Sequence, residues 1–165
     1  MKYENLDKEE FDAIVTGELT HYALWLEDEL NDIITGFFCR ISHIQADFKR
    51  LILFRDGLTF QDKIEIVRGM IPLFDLNEET ANAMKSILKR IEDFKSWRNA
   101  MAHGLDVTDD KFEGVLKVQV INRAGKEREI EISPESHRKK LEEAESTLTD
   151  IKKTGKEVLA VNNVT

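Results

Sequence analysis

Residues 75–104 read DLNEETANAMKSILKRIEDFKSWRNAMAHG, and this stretch gives the clearest structural signal in the chain. The segment 75–79 is typical of a helix start, because acidic side chains in the first turn interact favourably with the helix dipole. Apolar residues then recur at three- and four-residue steps: Ala81, Met84, Ile87, Leu88, Ile91, Phe94 and Met101. This period predicts one long helix with a buried stripe. Gly104 is expected to end it as the C′ residue, and Arg98 falls at or beside the stripe.

The chain before this helix has the same helical period. Four more helices are predicted there, at about residues 7–17, 18–39, 43–55 and 59–71. Asn5 or Asp7 can cap the first of them, and Thr59 can cap the fourth. Gly17 is expected to interrupt the first run, which gives two helices instead of one. The fourth helix should end before Pro72, since proline disfavours helical geometry in the residue that precedes it.

After Gly104 the period changes from helical to alternating. Apolar and polar residues alternate over 116–120 and over 130–132, and the turn-forming residues 122–125 lie between these runs. This pattern predicts a β-hairpin at about 114–133. Ser133 and Pro134 are typical of a helix start, and the final helix, about 134–160, has heptad spacing that should pack along another helix. The predicted fold is an all-α bundle of four to six helices, one domain over residues 1–165, with the hairpin inserted before the C-terminal helix.

Composition excludes several classes of protein. The 165 residues include a single cysteine, Cys39, so an intrachain disulfide framework and a cysteine-based zinc cluster are both ruled out. No apolar run approaches the roughly 20 residues of a membrane span. The first residues, MKYENLDKEE, lack the apolar core of a secretory signal. We therefore expect a cytoplasmic protein with no membrane contact.

The charge is unevenly distributed along the chain. The net charge of -8 argues against a uniformly basic nucleic-acid-binding protein. Residues 85–98, however, hold five basic and two acidic side chains, a local charge of +3. This segment could contact a phosphate, and it could equally be a solvated helix face.

The end of the long helix carries the one constellation of side chains that suggests chemistry. In FKSWRNAMAHG, residues 94–104, Arg98 and Asn99 precede His103. A histidine can transfer protons near neutral pH, and an arginine suits phosphoryl oxygens. An asparagine can orient either group by hydrogen bonds. No metal-ligand spacing connects the other histidines, which we expect to be ordinary packed or surface residues: His21, His43 and His137.

This segment resembles the defining motif of the HEPN superfamily, an arginine followed after four to six residues by a histidine, often with asparagine after the arginine. Here the motif is Arg98-Asn99-Ala100-Met101-Ala102-His103. The order of the helices is similar too, over about residues 20–160. Members of that family are frequently metal-independent endoribonucleases that act as toxins or in phage defence, with the motif at a symmetric dimer interface. Others have lost activity and serve as binding modules.

The resemblance implies a role for each motif residue. His103 would be the general acid/base, Arg98 the phosphate stabiliser and Asn99 the positioning residue in cleavage of RNA by its own 2′-hydroxyl. It also implies that no metal or cofactor is needed and that the partners are RNA, a second copy of the chain and an antitoxin protein. The alternative is a catalytically inactive HEPN-like module that binds a protein partner or a nucleotide.

Helix geometry constrains how these residues meet. Five residues of a regular helix turn through roughly 500°, so the side chains of Arg98 and His103 would diverge by about 140°. Either His103 swings back past the helix end at Gly104, or a second subunit related by a twofold axis completes the site. A purely structural role is also open, in which Arg98, Asn99 and His103 cap the helix carbonyls.

Overall fold

The computed structural model describes residue 3 and residues 5–121 and 124–162. This part of the chain is mostly helical, with five α-helices: α1 Lys8–Phe38, α2 Ser42–Phe48, α3 Phe60–Met70, α4 Glu78–His103 and α5 Pro134–Asn162. A π-helical turn, Lys49–Leu53, continues α2, and a 3-10 turn, Ile71–Leu73, follows α3. Three strands complete the fold: β1 Leu105–Asp106, β2 Leu116–Ile121 and β3 Glu127–Ile132. In the described residues, no helix combines the length and apolar character that crossing a bilayer requires.

Two of the predicted helix starts, at Thr59 and Ser133, are confirmed by their capping hydrogen bonds. The Thr59 hydroxyl accepts a hydrogen bond from the backbone N–H of Asp62 at 3.2 Å, and the Asp62 carboxylate accepts one from the Thr59 backbone at 2.8 Å. The Ser133 hydroxyl likewise accepts from the backbone N–H of Ser136 at 3.1 Å, with Pro134 as the first residue of α5. Each pair satisfies backbone donors that a helix N-terminus leaves without intrahelical partners.

The predicted interruption at Gly17 is wrong, because α1 runs unbroken from Lys8 to Phe38. Glycine inside a helix costs only about 0.5–1 kcal/mol relative to alanine. The apolar stripe continues across it and is buried on both sides, at Val15 and Leu19. Burying such side chains contributes about 1.5–3 kcal/mol each, which outweighs the cost of the glycine.

The predicted hairpin is confirmed, and it belongs to a three-stranded antiparallel sheet in the order β1-β2-β3. Leu116 pairs with Ile132 and Val118 with Ile130, and these four side chains form the buried face of the sheet. The sequence pattern missed β1, since a strand of two exposed residues shows no alternation. The predicted turn residues Asn122 and Arg123 lie outside the described residues, as do residues 163–165 at the chain end.

The chain divides into two compact units. The first consists of the residues up to Ala23 with Asp93–Glu145, and its core includes Val15 and Phe94 with the buried face of the sheet. The second consists of Leu24–Glu92 with the residues from Ser146 onward. In the second unit α5 packs on α1, as its heptad spacing predicts. A Cβ added at Gly155 of α5 would lie 3.1 Å from the Ile33 side chain of α1.

Gly104 ends α4 where the sequence predicts, but for a different reason. Its φ is not positive, so it is not a left-handed C′ glycine. A Cβ at this position would collide with the Val118 side chain of β2 and the carbonyl oxygen of Ala100. The glycine therefore allows β2 to approach the end of α4 closely.

Substituting Gly104 with alanine should consequently lower the free energy of unfolding by about 1–3 kcal/mol, the usual cost of overpacking. The matched control is Gly17→Ala, since a Cβ at Gly17 would have open space around it. This variant should raise the free energy of unfolding by about 0.5–1 kcal/mol, because alanine is the better helix former. Urea denaturation of both variants measures the difference. If Gly104→Ala were as stable as the parent protein or more stable, the close approach of β2 to α4 would be contradicted.

Candidate functional site

An open groove of about 1020 Å³ lies in the first unit between the end of α4 and the sheet. Lys95, Asn99 and His103 line one wall, at intervals of four residues along α4. Residues that are four apart share a helix face, so these three side chains form a single row. The sheet and the residue before β3 contribute the other wall: Leu105, Gln119, Val120, Ile121, Lys126, Glu127 and Arg128.

Two of the three predicted site residues meet in this groove. Asn99 is half-buried, and His103, one turn further along α4, is exposed. Both side chains are therefore accessible to a ligand in the groove. Their separation of four residues places them near enough to act on one ligand group.

Arg98 does not line the groove. The helix stays regular through His103, whose turn closes with a hydrogen bond from the Gly104 N–H to the Ala100 carbonyl at 2.8 Å. Of the two alternatives, the return of His103 past the helix end therefore does not occur. Arg98 lies four residues after buried Phe94 on the same stripe, and its Nε is buried with no hydrogen-bond partner among the described residues.

The groove has an excess of positive charge on a chain whose net charge is -8. Three bases, Lys95, Lys126 and Arg128, line it together with one acid, Glu127. The Glu127 carboxylate accepts a hydrogen bond from the Gln119 side-chain amide at 3.0 Å, which holds it against the sheet. Such a local excess attracts anions although the whole chain repels them.

The basic segment 85–98 does not act as one surface. Lys95 lines the groove in the first unit, whereas Arg90 pairs with Asp150 at 2.6 Å in the second unit. Lys85 and Lys89 are exposed. The segment is therefore a groove wall at one end and an exposed helix face at the other, and contact with a phosphate stays a prediction.

An ion pair anchors β1 at the rim of the groove. The Lys8 ammonium lies 2.5 Å from the Asp106 carboxylate, and the Thr108 backbone N–H donates to the same carboxylate at 2.9 Å. The hydrogen bond from Lys8, followed by those from Thr108, lowers the pKa of Asp106 to about 2. Because this pKa is depressed, the ionised Asp106 carboxylate stabilises the folded chain above about pH 4. That stabilisation is lost as the pH falls through about 2. Neighbouring Leu105 is thereby held at the rim.

The remaining histidines lie outside the groove, one buried and two exposed. His137 is fully buried, and its Nε2 lies 2.8 Å from the Glu18 carboxylate. His21 and His43 are exposed. No group of three or more His, Cys, Asp or Glu side chains within residues 5–121 and 124–162 is placed to hold a metal ion.

Sequence reasoning missed the groove residues of the sheet, above all Lys126 and Arg128. The alternating pattern predicts that Arg128 lies on a strand, but it does not indicate which helix packs against that strand. The close approach at Gly104 brings the sheet beside α4, and no sequence signal marks that approach. Comparison with known proteins adds no constraint, since no family model, curated protein or solved structure matches the chain.

Proposed function

We propose that this chain is a metal-independent endoribonuclease of HEPN type that cleaves single-stranded RNA. The observation that carries the proposal is the placement of Asn99 and His103 side by side in an open, positively charged groove. A proton-transfer group, a hydrogen-bonding amide and nearby cations are what phosphodiester cleavage through a 2′-hydroxyl needs.

The chemistry assigns a step to each group. His103 would accept the proton of a 2′-hydroxyl, whose oxygen attacks the adjacent phosphorus. An O2′–P bond forms as the P–O5′ bond breaks, which leaves a 2′,3′-cyclic phosphate and a 5′-hydroxyl. The same histidine in a twofold-related copy would donate the proton that the leaving 5′ oxygen needs. Asn99 would hydrogen-bond to the imidazole or to a phosphate oxygen.

A twofold dimer through the motif face is part of this proposal. Leu105 and Ile121, each 64% exposed, border the groove and offer apolar area to a second copy. Sedimentation equilibrium tests the dimer: a mass of two chains supports it, and the mass of one chain at every concentration contradicts it. The setting we propose is a toxin–antitoxin or phage-defence system in the cytoplasm, with an antitoxin protein as a further partner.

The experiment that tests the activity compares single-stranded RNA with DNA of the same sequence in excess EDTA. We expect the RNA to be cut, leaving cyclic-phosphate ends, and the DNA to stay intact because it has no 2′-hydroxyl. Equal cutting of both strands, or no cutting of the RNA, would contradict the proposal.

One observation favours the alternative, an inactive module that binds a protein. In the second unit α2 buries none of its residues, and large apolar side chains around it are exposed: Phe38, Ile41, Ile44, Leu51, Ile52 and Phe54. Exposed apolar clusters of this kind mark interaction surfaces. A parent protein without nuclease activity, together with full partner binding by His103→Ala, would support this alternative.

A further inference from the structure

We infer that Arg128 supplies the guanidinium that binds an RNA phosphate in this groove, the role that the sequence motif assigns to Arg98. The inference rests on the proposed function for the identity of the ligand, a single-stranded RNA. It deepens that function by naming a phosphate-binding residue from the sheet, outside the motif.

The register of the sheet fixes the face on which Arg128 lies. Arg128 pairs directly with Val120, two residues beyond the buried pair of Val118 and Ile130. Directly paired residues lie on the same face, and residues two apart on a strand share a face. Arg128 therefore lies on the same sheet face as Val118 and Ile130, in the next residue pair on that face, and it lines the groove.

Arg128 and Arg98 differ in whether they line the groove. The Arg128 side chain is exposed and lines the same groove as Asn99 and His103. Arg98 lies on the buried stripe of α4, and its Nε is enclosed. Of these two arginines, only Arg128 lines the groove that holds His103 of the same chain.

The chemistry of a phosphate ligand also favours an arginine at this position. A guanidinium offers two parallel N–H donors that match two phosphate oxygens, and it remains charged at every physiological pH. Lys95 and Lys126 line the same groove and add positive charge to it. Several cations in one open groove fit a phosphodiester backbone better than a single small anion.

The test is a binding measurement that does not depend on cleavage. A fluorescently labelled 12-nucleotide 2′-O-methyl RNA has no free 2′-hydroxyl, so the parent protein and its variants can be titrated with it by anisotropy. The matched pair of variants is Arg128→Gln and Arg98→Gln, which remove the same charge from the same residue type. Titrations at several salt concentrations give the number of phosphate contacts.

We expect Arg128→Gln to weaken binding about 10- to 100-fold and to reduce the salt slope by about 0.7, the loss of one phosphate contact on a single strand. Arg98→Gln should bind within about twofold of the parent. Arg128→Lys should restore the salt slope but only part of the affinity, because lysine keeps the charge and loses the paired donors.

The outcomes separate this inference from the proposed function. Weaker binding by Arg98→Gln with unchanged binding by Arg128→Gln would overturn the inference and leave the nuclease proposal standing. Unchanged binding by both variants, or no binding by the parent at low salt, would overturn it as well. Binding that depends on Arg128 in a protein that never cleaves RNA would support the inference while the nuclease proposal fails.

Discussion

Replacing His103 with alanine is expected to lower the rate of RNA cleavage about 10²- to 10⁴-fold, the contribution typical of proton transfer by a positioned side chain. The loss should fall on the chemical step, because the imidazole carries the proton in the proposed reaction. His103 is exposed at the end of α4, so the variant should fold with a stability close to that of the parent. Single-turnover cleavage of a labelled RNA measures the rate.

The control for this variant is His43→Ala, which removes the same group from an exposed position on α2. We expect the cleavage rate of the control to equal that of the parent. Retention of more than a tenth of the parent rate by His103→Ala, with the fold intact by circular dichroism, would contradict the proposed role of His103.

Replacing Glu27 with alanine should lower the free energy of unfolding by about 3–5 kcal/mol, the largest effect on stability that we expect from one side chain. The Lys63 ammonium lies 2.5 Å from the Glu27 carboxylate, and only 3% of the Lys63 side chain is exposed. Without the carboxylate the ammonium stays buried and loses its counter-ion. Burial of an uncompensated charge is among the costliest local changes in a protein.

The matched control is Glu65→Ala, on the same helix as Lys63. The Glu65 carboxylate lies 2.5 Å from Arg68, but these side chains are 51% and 39% exposed, respectively. Surface ion pairs contribute about 0–1 kcal/mol, so this variant should remain close to the parent. Urea denaturation compares the two, and similar losses from Glu27→Ala and Glu65→Ala would show that burial does not strengthen the Lys63 pair.

Local signals in the sequence predicted most of the helical fold, because caps and apolar periods act within one element. Thr59, Ser133 and the stripe of α4 each predict structure from a few neighbouring residues, and the hydrogen bonds confirm the two caps. Gly17 shows the limit of such signals. Its low helix propensity is a local effect, and the buried stripe of α1 outweighs it.

The candidate site was only partly predictable, because local signals describe contacts within one element and the site joins a helix to a sheet. Asn99 and His103 share a helix face by spacing alone, so their place in one groove follows from the motif and the helical period. Arg128 lies far away in the chain and reaches the groove only because Gly104 lets β2 approach α4. Contacts of this kind depend on tertiary packing, which no local pattern in this sequence describes.

In the reaction that we propose, a ribose hydroxyl delivered to the groove beside His103 attacks the neighbouring phosphate. The most direct test is a labelled RNA in which a single ribose, at a mapped cleavage position, is replaced by 2′-deoxyribose. We expect cutting to stop at that position and to continue at the other sites of the same strand. Undiminished cutting at the substituted position would contradict the proposed reaction, because no 2′-hydroxyl would then be taking part.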